Sequence, residues 1–242
     1  MRIAEIFGPT IQGEGPLAGR VTNFVRVGGC DYRCKWCDSL HAVDSDNRFG
    51  WFEMMPDEVM SHIQALGPRV NLITLSGGNP AIPEDMPELV DLLHSYGHRV
   101  ALETQASIYR NWFEWVDYLI LSPKPPSSGH VLDDAVLAQC LEHDTAHVKI
   151  VMLDKADFEF AYDVAQRHKI EVLWVQPCNP FPGLAKPMWS FDDEGVCDDS
   201  DPADLCYRYR QLCDMVLADE RCRNWRVLPQ LHTLAWGNER GK

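Results

Sequence analysis

Short apolar runs alternate with amphipathic stretches along most of the chain. The runs are bounded by glycine, proline or polar clusters, which predicts strands over Arg2–Phe7, Val21–Val27, Val70–Leu75, Arg99–Glu103, Tyr118–Leu121, His147–Met152, Val172–Gln176 and Arg226–Leu228. Apolar residues at helical spacing predict helices over Pro56–Leu66, Pro87–Tyr96, Leu132–His143, Asp157–His168 and Pro202–Asp219, with at most a short helix over Trp112–Val116. Cys178–Asp201 is rich in proline, glycine and aspartate and predicts an irregular segment.

This alternation predicts an α/β fold with a parallel sheet and right-handed crossovers. The six main strands indicate a partial, incomplete TIM-like barrel, since eight strands close a full one. No repeat or low-complexity linker divides the chain, so residues 1–242 are predicted to form a single domain. Ligands of such folds bind at the carboxyl ends of the strands. Polar or glycine-bearing stretches follow these ends, namely a cysteine-rich loop, SGGNP, ETQ, SPKPP and QPCNP.

The cysteine-rich loop carries the most specific pattern in the chain. Cys30, Cys34 and Cys37 follow an apolar strand with the spacing CxxxCxxC. Structural zinc sites and ordinary iron–sulfur clusters normally use four protein ligands, so three thiolates leave one position open. The loop is either a zinc knuckle completed by His41 or a distant cysteine, or a metal site with an exchangeable fourth ligand.

Two other polar features lack an evident structural reason. Arg26 lies in a mostly apolar strand, where a buried charge needs a partner; a protein carboxylate or an anionic ligand would serve. Gln12 and Glu14 stand between glycines and prolines of the stretch 8–16, where the backbone should turn tightly. That loop is a simple connector, or it presents the two side chains to a ligand.

Composition narrows the function classes. A net charge of −14 argues against a nucleic-acid partner, and the cluster Arg221, Arg223 and Arg226 is better read as a solvated helix end. No signal peptide or membrane-spanning run is evident, so we expect a cytoplasmic protein without a membrane partner. Nine cysteines then indicate reduced thiols and metal ligands. We expect most of those outside the triplet to be small buried hydrophobes.

The triplet, with an aromatic residue just before its third cysteine, resembles the radical S-adenosylmethionine (SAM) superfamily. The resemblance implies that Cys30, Cys34 and Cys37 hold a 4Fe–4S cluster, that SAM takes the open position, and that Trp36 lies near SAM. SGGNP resembles the superfamily's GGEP-like motif, although Asn79 replaces the acidic residue. Its glycines would then approach the amino group of SAM, whereas a plain glycine turn is the alternative.

The motifs GPTIQGEG, FVRVGGCDYRCKWCDS, SGGNP, LETQ, LSPKPPS and RVLPQLHTLAWGN together resemble the 7-carboxy-7-deazaguanine synthase family nearly end to end, apart from the irregular segment. That resemblance implies a radical SAM core with short N- and C-terminal extensions. It implies SAM-dependent radical ring contraction of 6-carboxy-5,6,7,8-tetrahydropterin to 7-carboxy-7-deazaguanine and ammonia, a carbon–nitrogen lyase of queuosine biosynthesis. It also implies Mg²⁺, a homodimer and an electron donor such as flavodoxin.

The same resemblance assigns site residues. SAM would contact Trp36, Gly77, Gly78, Glu103, Gln105, Ser122, Pro123 and Lys124. The pterin would contact Ile11, Gln12, Gly13, Glu14, Arg26, Ser76, His232 and Lys242, and Ser39 would bind Mg²⁺. Three have plainer interpretations: Lys124 as an exposed loop lysine, His232 as a core histidine and Lys242 as a frayed end. Two other protein classes stay open, a radical SAM activase acting on a partner's glycine and a non-catalytic iron–sulfur or zinc protein.

Overall fold

A nine-stranded sheet runs through the computed structural model, which describes residues 1–179 and 202–242. Its order is β3-β1-β2-β4-β5-β6-β7-β8-β9. The strands are β1 Arg2–Ile11, β2 Val21–Val27, β3 Phe52–Glu53, β4 Leu72–Gly77, β5 Arg99–Thr104, β6 Tyr118–Leu121, β7 Ala146–Met152, β8 Leu173–Pro177 and β9 Trp225–Val227.

Parallel pairing dominates this sheet. Within the described residues, every pair from β2 across to β9 is parallel, and β1 pairs antiparallel with both β2 and β3. The sheet is open, because β3 and β9 are separate edges. The predicted α/β class with an incomplete barrel is confirmed. The strand predicted over Arg226–Leu228 is β9, and the short edge strand β3 was not predicted.

Helices connect the parallel strands and cover the sheet. They are α1 Leu40–Val43, α2 Pro56–Ala65, α3 Met86–Ser95, α4 Asp134–Cys140, α5 Lys155–Arg167, α6 Pro202–Ala218 and α7 Leu231–Trp236. The predicted short helix near Trp112 is a 3-10 turn over Asn111–Trp115. Helix α4 begins two residues later than predicted because Asp133 caps it, and α5 begins two residues earlier because Asp154 does so.

The core lies between the sheet and these helices. Val59 and Ile63 of α2 and Leu89 and Leu93 of α3 are buried, as their helical spacing predicts, and they belong to one apolar cluster with Leu75 and other strand residues. The polar carboxyl ends of the strands lie beyond this cluster, together with most of the predicted site residues.

Strand β1 is longer than predicted. The sequence places a turn from Gly8 onward, whereas the strand continues to Ile11 through a register shift between Phe7 and Thr10, with a cis peptide before Pro9. A Cβ atom at Gly8 would lie 2.3 Å from the Asn23 side chain, so glycine lets the two strands approach there. The loop that carries Gln12 therefore starts at the end of a strand.

Three further expectations concern the rest of the chain. No helix in residues 1–179 and 202–242 has the length and apolar content that crossing a membrane requires. Arg221 and Arg223 are paired with Glu159 and Glu220 respectively, as expected of a solvated helix end, whereas Arg226 lies in β9 and not at a helix end. The predicted irregular segment lies outside the described residues from residue 180 to residue 201.

Candidate active site

A cavity of about 380 Å³ opens at the carboxyl ends of the strands. Its walls include each predicted cluster, SAM, pterin and Mg²⁺ residue except Gly13 and Pro123. The size suits a small organic ligand, since such pockets are typically about 300–1,000 Å³. The structure thus brings the predicted residues together, while the group that each would contact stays a prediction.

The cysteine loop is locked against the end of β4 by backbone contacts. The amide of Gly78 donates to the Val27 carbonyl at 3.0 Å, and the amide of Asn79 donates to the Gly29 carbonyl at 2.9 Å. A Cβ atom at Gly78 would lie 1.9 Å from the Gly29 oxygen, and one at Gly77 would lie 2.3 Å from the Val27 oxygen. The glycine pair of SGGNP therefore lets β4 pack on the cysteine loop, whatever contact it also makes with a ligand.

The three thiols form a donor set suited to an iron–sulfur cluster. Cys30, Cys34 and Cys37 are free and line the same cavity. Burial raises the pKa of each thiol, in Cys37 to about 12, with Asp38 adding to the effect there. A bound cation would favour the thiolates by opposing this. His41, the candidate fourth zinc ligand, is bonded to Glu5 at 3.0 Å.

A buried carboxylate supports the loop from behind. Trp36 donates its indole N–H to the Ser127 hydroxyl at 2.8 Å, and that hydroxyl donates to Asp157 at 2.6 Å. Asp157 also accepts from the backbone amides of Ser127 and Leu153. Burial raises the pKa of Asp157 although these donors lower it. The network fixes the ring that stands before the third cysteine.

Asn79 has a structural role that its motif position did not reveal. Its side chain is fully buried, donates to Asp31 at 2.8 Å, and accepts from the Thr104 hydroxyl at 2.9 Å. Gln105 donates to the same Asp31 oxygen at 2.7 Å and contacts the Cys30 sulfur at 3.5 Å. The two amides tie the ends of β4 and β5 to the cysteine loop.

A second group of polar residues also lines the cavity. Lys149, from the middle of β7, forms an ion pair with Glu14 and lies 3.6 Å from Glu103. Gln230 donates to the other oxygen of Glu14 at 2.5 Å. Gln12 donates to Glu103 at 3.2 Å. The predicted pterin residues Gln12 and Glu14 are therefore built into one buried network.

Glu103 belongs to this same network. It also accepts from the Ser76 hydroxyl at 3.2 Å, so its partners are residues predicted for the pterin rather than for SAM. Burial would raise the pKa of Glu14, but the Lys149 ammonium, His232 and the Gln230 amide hold it well below its usual range. Burial would lower the pKa of Lys149, but Glu103 and Glu14 raise it well above its usual range.

Arg26 forms an ion pair with a carboxylate of the protein, Glu5. It donates to Glu5 at 2.7 Å and to the Ser39 hydroxyl at 3.1 Å, and that hydroxyl donates to Asp38 at 2.9 Å. Burial would raise the pKa of Glu5, but a hydrogen bond from His41 and the charge of Arg26 lower it to about 2. Ser39 thus stands between a cation and a carboxylate at the rim of the cavity.

The C-terminal segment closes one side of the site. The Leu231 amide donates to the Gly13 carbonyl at 3.1 Å, and a Cβ atom at Gly13 would lie 2.1 Å from the His232 ring. Glycine at position 13 therefore makes room for His232, which lines the cavity, as does Lys242. In the loop after β6, Lys124 donates to the Ser122 hydroxyl at 2.9 Å.

Several residues of this cavity were not among the predicted site residues. Lys149 carried the same signal that drew attention to Arg26, a single charge inside an apolar strand. Gln230 lies inside the motif RVLPQLHTLAWGN, from which only His232 was predicted as a site residue. The sequence around Glu5 did not indicate a buried partner for Arg26, because glutamate side chains are ordinarily exposed to solvent.

A three-cysteine loop at the carboxyl edge of an open parallel sheet is the arrangement of the radical SAM class. The family model described as the Radical SAM superfamily matches residues 24–123. Escherichia coli QueE has a similar structure, with 25% identity, a TM-score of 0.59, and coverage of 73% of this chain and 83% of that chain. Streptococcus suis SuiB bound to its precursor peptide shares the fold alone, with 13% identity, a TM-score of 0.53, and coverage of 88% and 49%.

Full-length relatives narrow the class. The chain is 39% identical to 7-carboxy-7-deazaguanine synthase of Bacillus subtilis, over 99% of this chain and 97% of that protein. It is 36% identical to the Bacillus cereus enzyme of the same name, over 99% and 98%. The chain belongs to the 7-carboxy-7-deazaguanine synthase family.

Proposed function

We propose that this protein converts 6-carboxy-5,6,7,8-tetrahydropterin to 7-carboxy-7-deazaguanine and ammonia by a SAM-dependent radical ring contraction. One observation of the structure supports the proposal in addition to the sequence similarity. The cysteine loop and the polar group around Glu14 face a single cavity, so a cluster-bound cofactor and a polar heterocycle would meet there. Such placement is the protein's main contribution to radical chemistry.

The cofactor would occupy the side of the cavity that carries the cysteines. Cys30, Cys34 and Cys37 would hold the 4Fe–4S cluster, which together with SAM supplies one-electron reductive chemistry when bound. Trp36, held by Ser127, would border SAM. The remaining SAM contacts are proposed for Gly77, Gly78, Glu103, Gln105, Ser122, Pro123 and Lys124.

The substrate would occupy the opposite side. Its pyrimidinone ring carries N–H donors that suit the carboxylate of Glu14 and the amide of Gln12, and its carboxylate suits a cation such as Arg26. Ile11, Gly13, Ser76, His232 and Lys242 complete the proposed contacts. Burial of Glu14 strengthens this recognition, because its charge is poorly screened by water.

Magnesium would sit at the rim between the two halves. Ser39 offers a hydroxyl and Asp38 a carboxylate 2.9 Å from it, both hard oxygen donors of the kind that Mg²⁺ takes. Mg²⁺ usually keeps only one or two protein ligands and takes the others from substrate and water. The test is the dependence of turnover on Mg²⁺ in wild type and in Ser39→Ala.

We also propose a single domain, a homodimer, and a flavodoxin-like electron donor in the cytoplasm. Free thiols at all eight described cysteines support a reducing compartment. The exposed Phe52 of edge strand β3 and the exposed Phe49 just before it support a contact with a second chain. Light scattering of the purified protein tests the dimer, and reduction of the enzyme by flavodoxin tests the donor.

Mass spectrometry of the products tests the reaction. Reconstituted protein is incubated without oxygen with the carboxylated tetrahydropterin, SAM, dithionite and Mg²⁺. Wild type should form the deazaguanine acid, Cys34→Ala should form none, and Cys206→Ala should match wild type because Cys206 is exposed on α6. Cleavage of SAM without the deazaguanine acid would assign the protein to another radical SAM reaction, and no SAM cleavage would indicate a non-catalytic protein.

A further inference from the structure

Lys149 is a buried cation that nothing in the proposed reaction uses. It lies in β7 between apolar residues, and its side chain is only 6% exposed. Its ammonium is paired with Glu14 and lies 3.6 Å from Glu103. Both carboxylates line the cavity, as Lys149 does.

We propose that Lys149 is a positioning residue for the substrate pocket, which keeps Glu14 ionised and holds its carboxylate toward the bound heterocycle. The inference rests on the proposed function, since it takes the pterin as the occupant of that pocket. Lys149 and Gln230 each hold one oxygen of Glu14, so the carboxylate cannot rotate freely. A carboxylate has about four acceptor sites, which leaves some of them for substrate donors.

The charges around the pair show why the cation is needed. Glu103 faces Lys149 from β5, Asp38 lies nearby in the cysteine loop, and His232 faces Glu14 from α7. Without Lys149, Glu14 would stay buried beside another carboxylate with no strong cation. Burial and repulsion both favour the protonated form, and a protonated carboxyl would turn one acceptor into a donor.

Removing the charge alone tests this. Holoenzymes of wild type, Lys149→Met, Glu14→Gln and the double variant Lys149→Met/Glu14→Gln are titrated with the carboxylated pterin, without SAM, at pH 5.5 to 8.5. Wild-type affinity should follow the pH dependence of Glu14→Gln, which reports titration of the ligand itself. In Lys149→Met, pterin affinity should in addition rise about tenfold for each unit of increasing pH, until Glu14 is ionised. The double variant, which has no carboxyl at position 14, should lack this additional pH dependence.

A ligand-free measurement separates this inference from the proposed reaction. In Lys149→Met, the pKa of Glu14 in the folded protein should be higher than its ordinary value of about 4.5 in the unfolded chain. Above about pH 4.5 the folded protein then keeps a proton that the unfolded chain has released. Its thermal stability should therefore fall from pH 5 to pH 8 relative to the double variant. Glu103→Gln in the Lys149→Met background shows whether the second carboxylate carries part of this change.

The outcomes are distinct. Failure of wild type to bind the pterin would overturn the proposed function, and the ligand-free comparison would still decide whether Lys149 keeps Glu14 ionised. Equal pH profiles for Lys149→Met and the double variant, in both measurements, would overturn the inference. If Lys149→Met does not fold, Lys149→Arg keeps it testable. The longer cation should lower pterin affinity severalfold when Glu14 is present and should leave the affinity of the Glu14→Gln protein unchanged. An equal loss of affinity in both backgrounds would overturn the inference.

Discussion

Replacing Gly78 by alanine should loosen the cysteine loop. The new Cβ atom would lie 1.9 Å from the Gly29 oxygen and 2.4 Å from the Gly29 carbonyl carbon. Cβ contacts below 3.0 Å essentially never occur, so the two backbones must separate by about 1.1 Å. No flexible side chain can yield instead, because the nearest atoms are all backbone. Cys30 follows Gly29 directly and must move with it.

The cost can be worked out from the hydrogen bonds at this contact. The bonds from Gly78 to Val27 and from Asn79 to Gly29 are 3.0 and 2.9 Å long, and a shift of this size breaks both. Each contributes about 1 kcal/mol. With about 1–2 kcal/mol of added backbone strain, the free energy of unfolding should fall by roughly 3–4 kcal/mol. In a chain of this size that lowers the melting temperature by roughly 5–15 °C.

Melting temperature and iron content after anaerobic reconstitution are the two assays. Gly78→Ala should lose stability and bind less iron than wild type. Gly50→Ala is the control, since its Cβ meets nothing within 4 Å and its backbone needs no positive φ. Gly29→Ala measures backbone strain alone, because its φ is +107° in open space. A Gly78→Ala protein with the melting temperature and iron content of Gly50→Ala would refute the close-packing argument.

Three other substitutions test separate parts of the site. Gly13→Ala should push the His232 ring out of place and weaken pterin binding by about tenfold or more, with iron content unchanged, as titration calorimetry would reveal. Glu5→Gln should weaken the dependence of the free energy of unfolding on pH in acid, as measured with urea. In wild type, the lowered pKa of Glu5, about 2, contributes roughly 1–3 kcal/mol of stability. This contribution is complete above about pH 4.5 and is lost as the pH falls toward 2. Asp157→Asn should cost roughly 1–3 kcal/mol in urea unfolding and reduce iron loading, because one acceptor of the Ser127 bonds becomes a donor; an unchanged unfolding midpoint would contradict this.

Periodicity predicted most of the fold because strands and helices with one apolar face carry their own signal. The open parallel sheet and the helices α2, α3 and α5 follow from it within a few residues. The extension of β1 past Gly8 was missed, since glycine followed by proline ordinarily ends a strand. Here glycine instead accommodates the side chain of Asn23 from the neighbouring strand, a contact that no local pattern encodes.

The site divides in the same way. The cysteines, the glycine pair and Glu14 stand in local motifs and could be found from spacing or resemblance. Lys149 is more than a hundred positions away from Glu14 in the chain, and only the folded sheet brings the two together. Asn79 shows the converse limit: its position in a motif was evident, but its contacts with Asp31 and Thr104 form only because two loops meet at the end of β5.

The register of the sheet couples the two halves of the cavity. Arg26 on β2 is the direct partner of Ser76 on β4, and the next pair joins Val27 to Gly77. Val27 is the last residue of β2 before the cysteine loop, and Gly77 is the first glycine of SGGNP. A slip of one residue would turn Arg26 and Ser76 to the opposite face of the sheet and displace the cysteine loop at the same time. Arg26 and Ser76, two of the proposed substrate contacts, therefore lie within strands, where pairing fixes the side-chain direction, while the proposed cluster ligands lie in the loop just beyond β2. Changes confined to the loop should alter iron binding while leaving the pocket around Glu14 intact, whereas changes in register would disturb both.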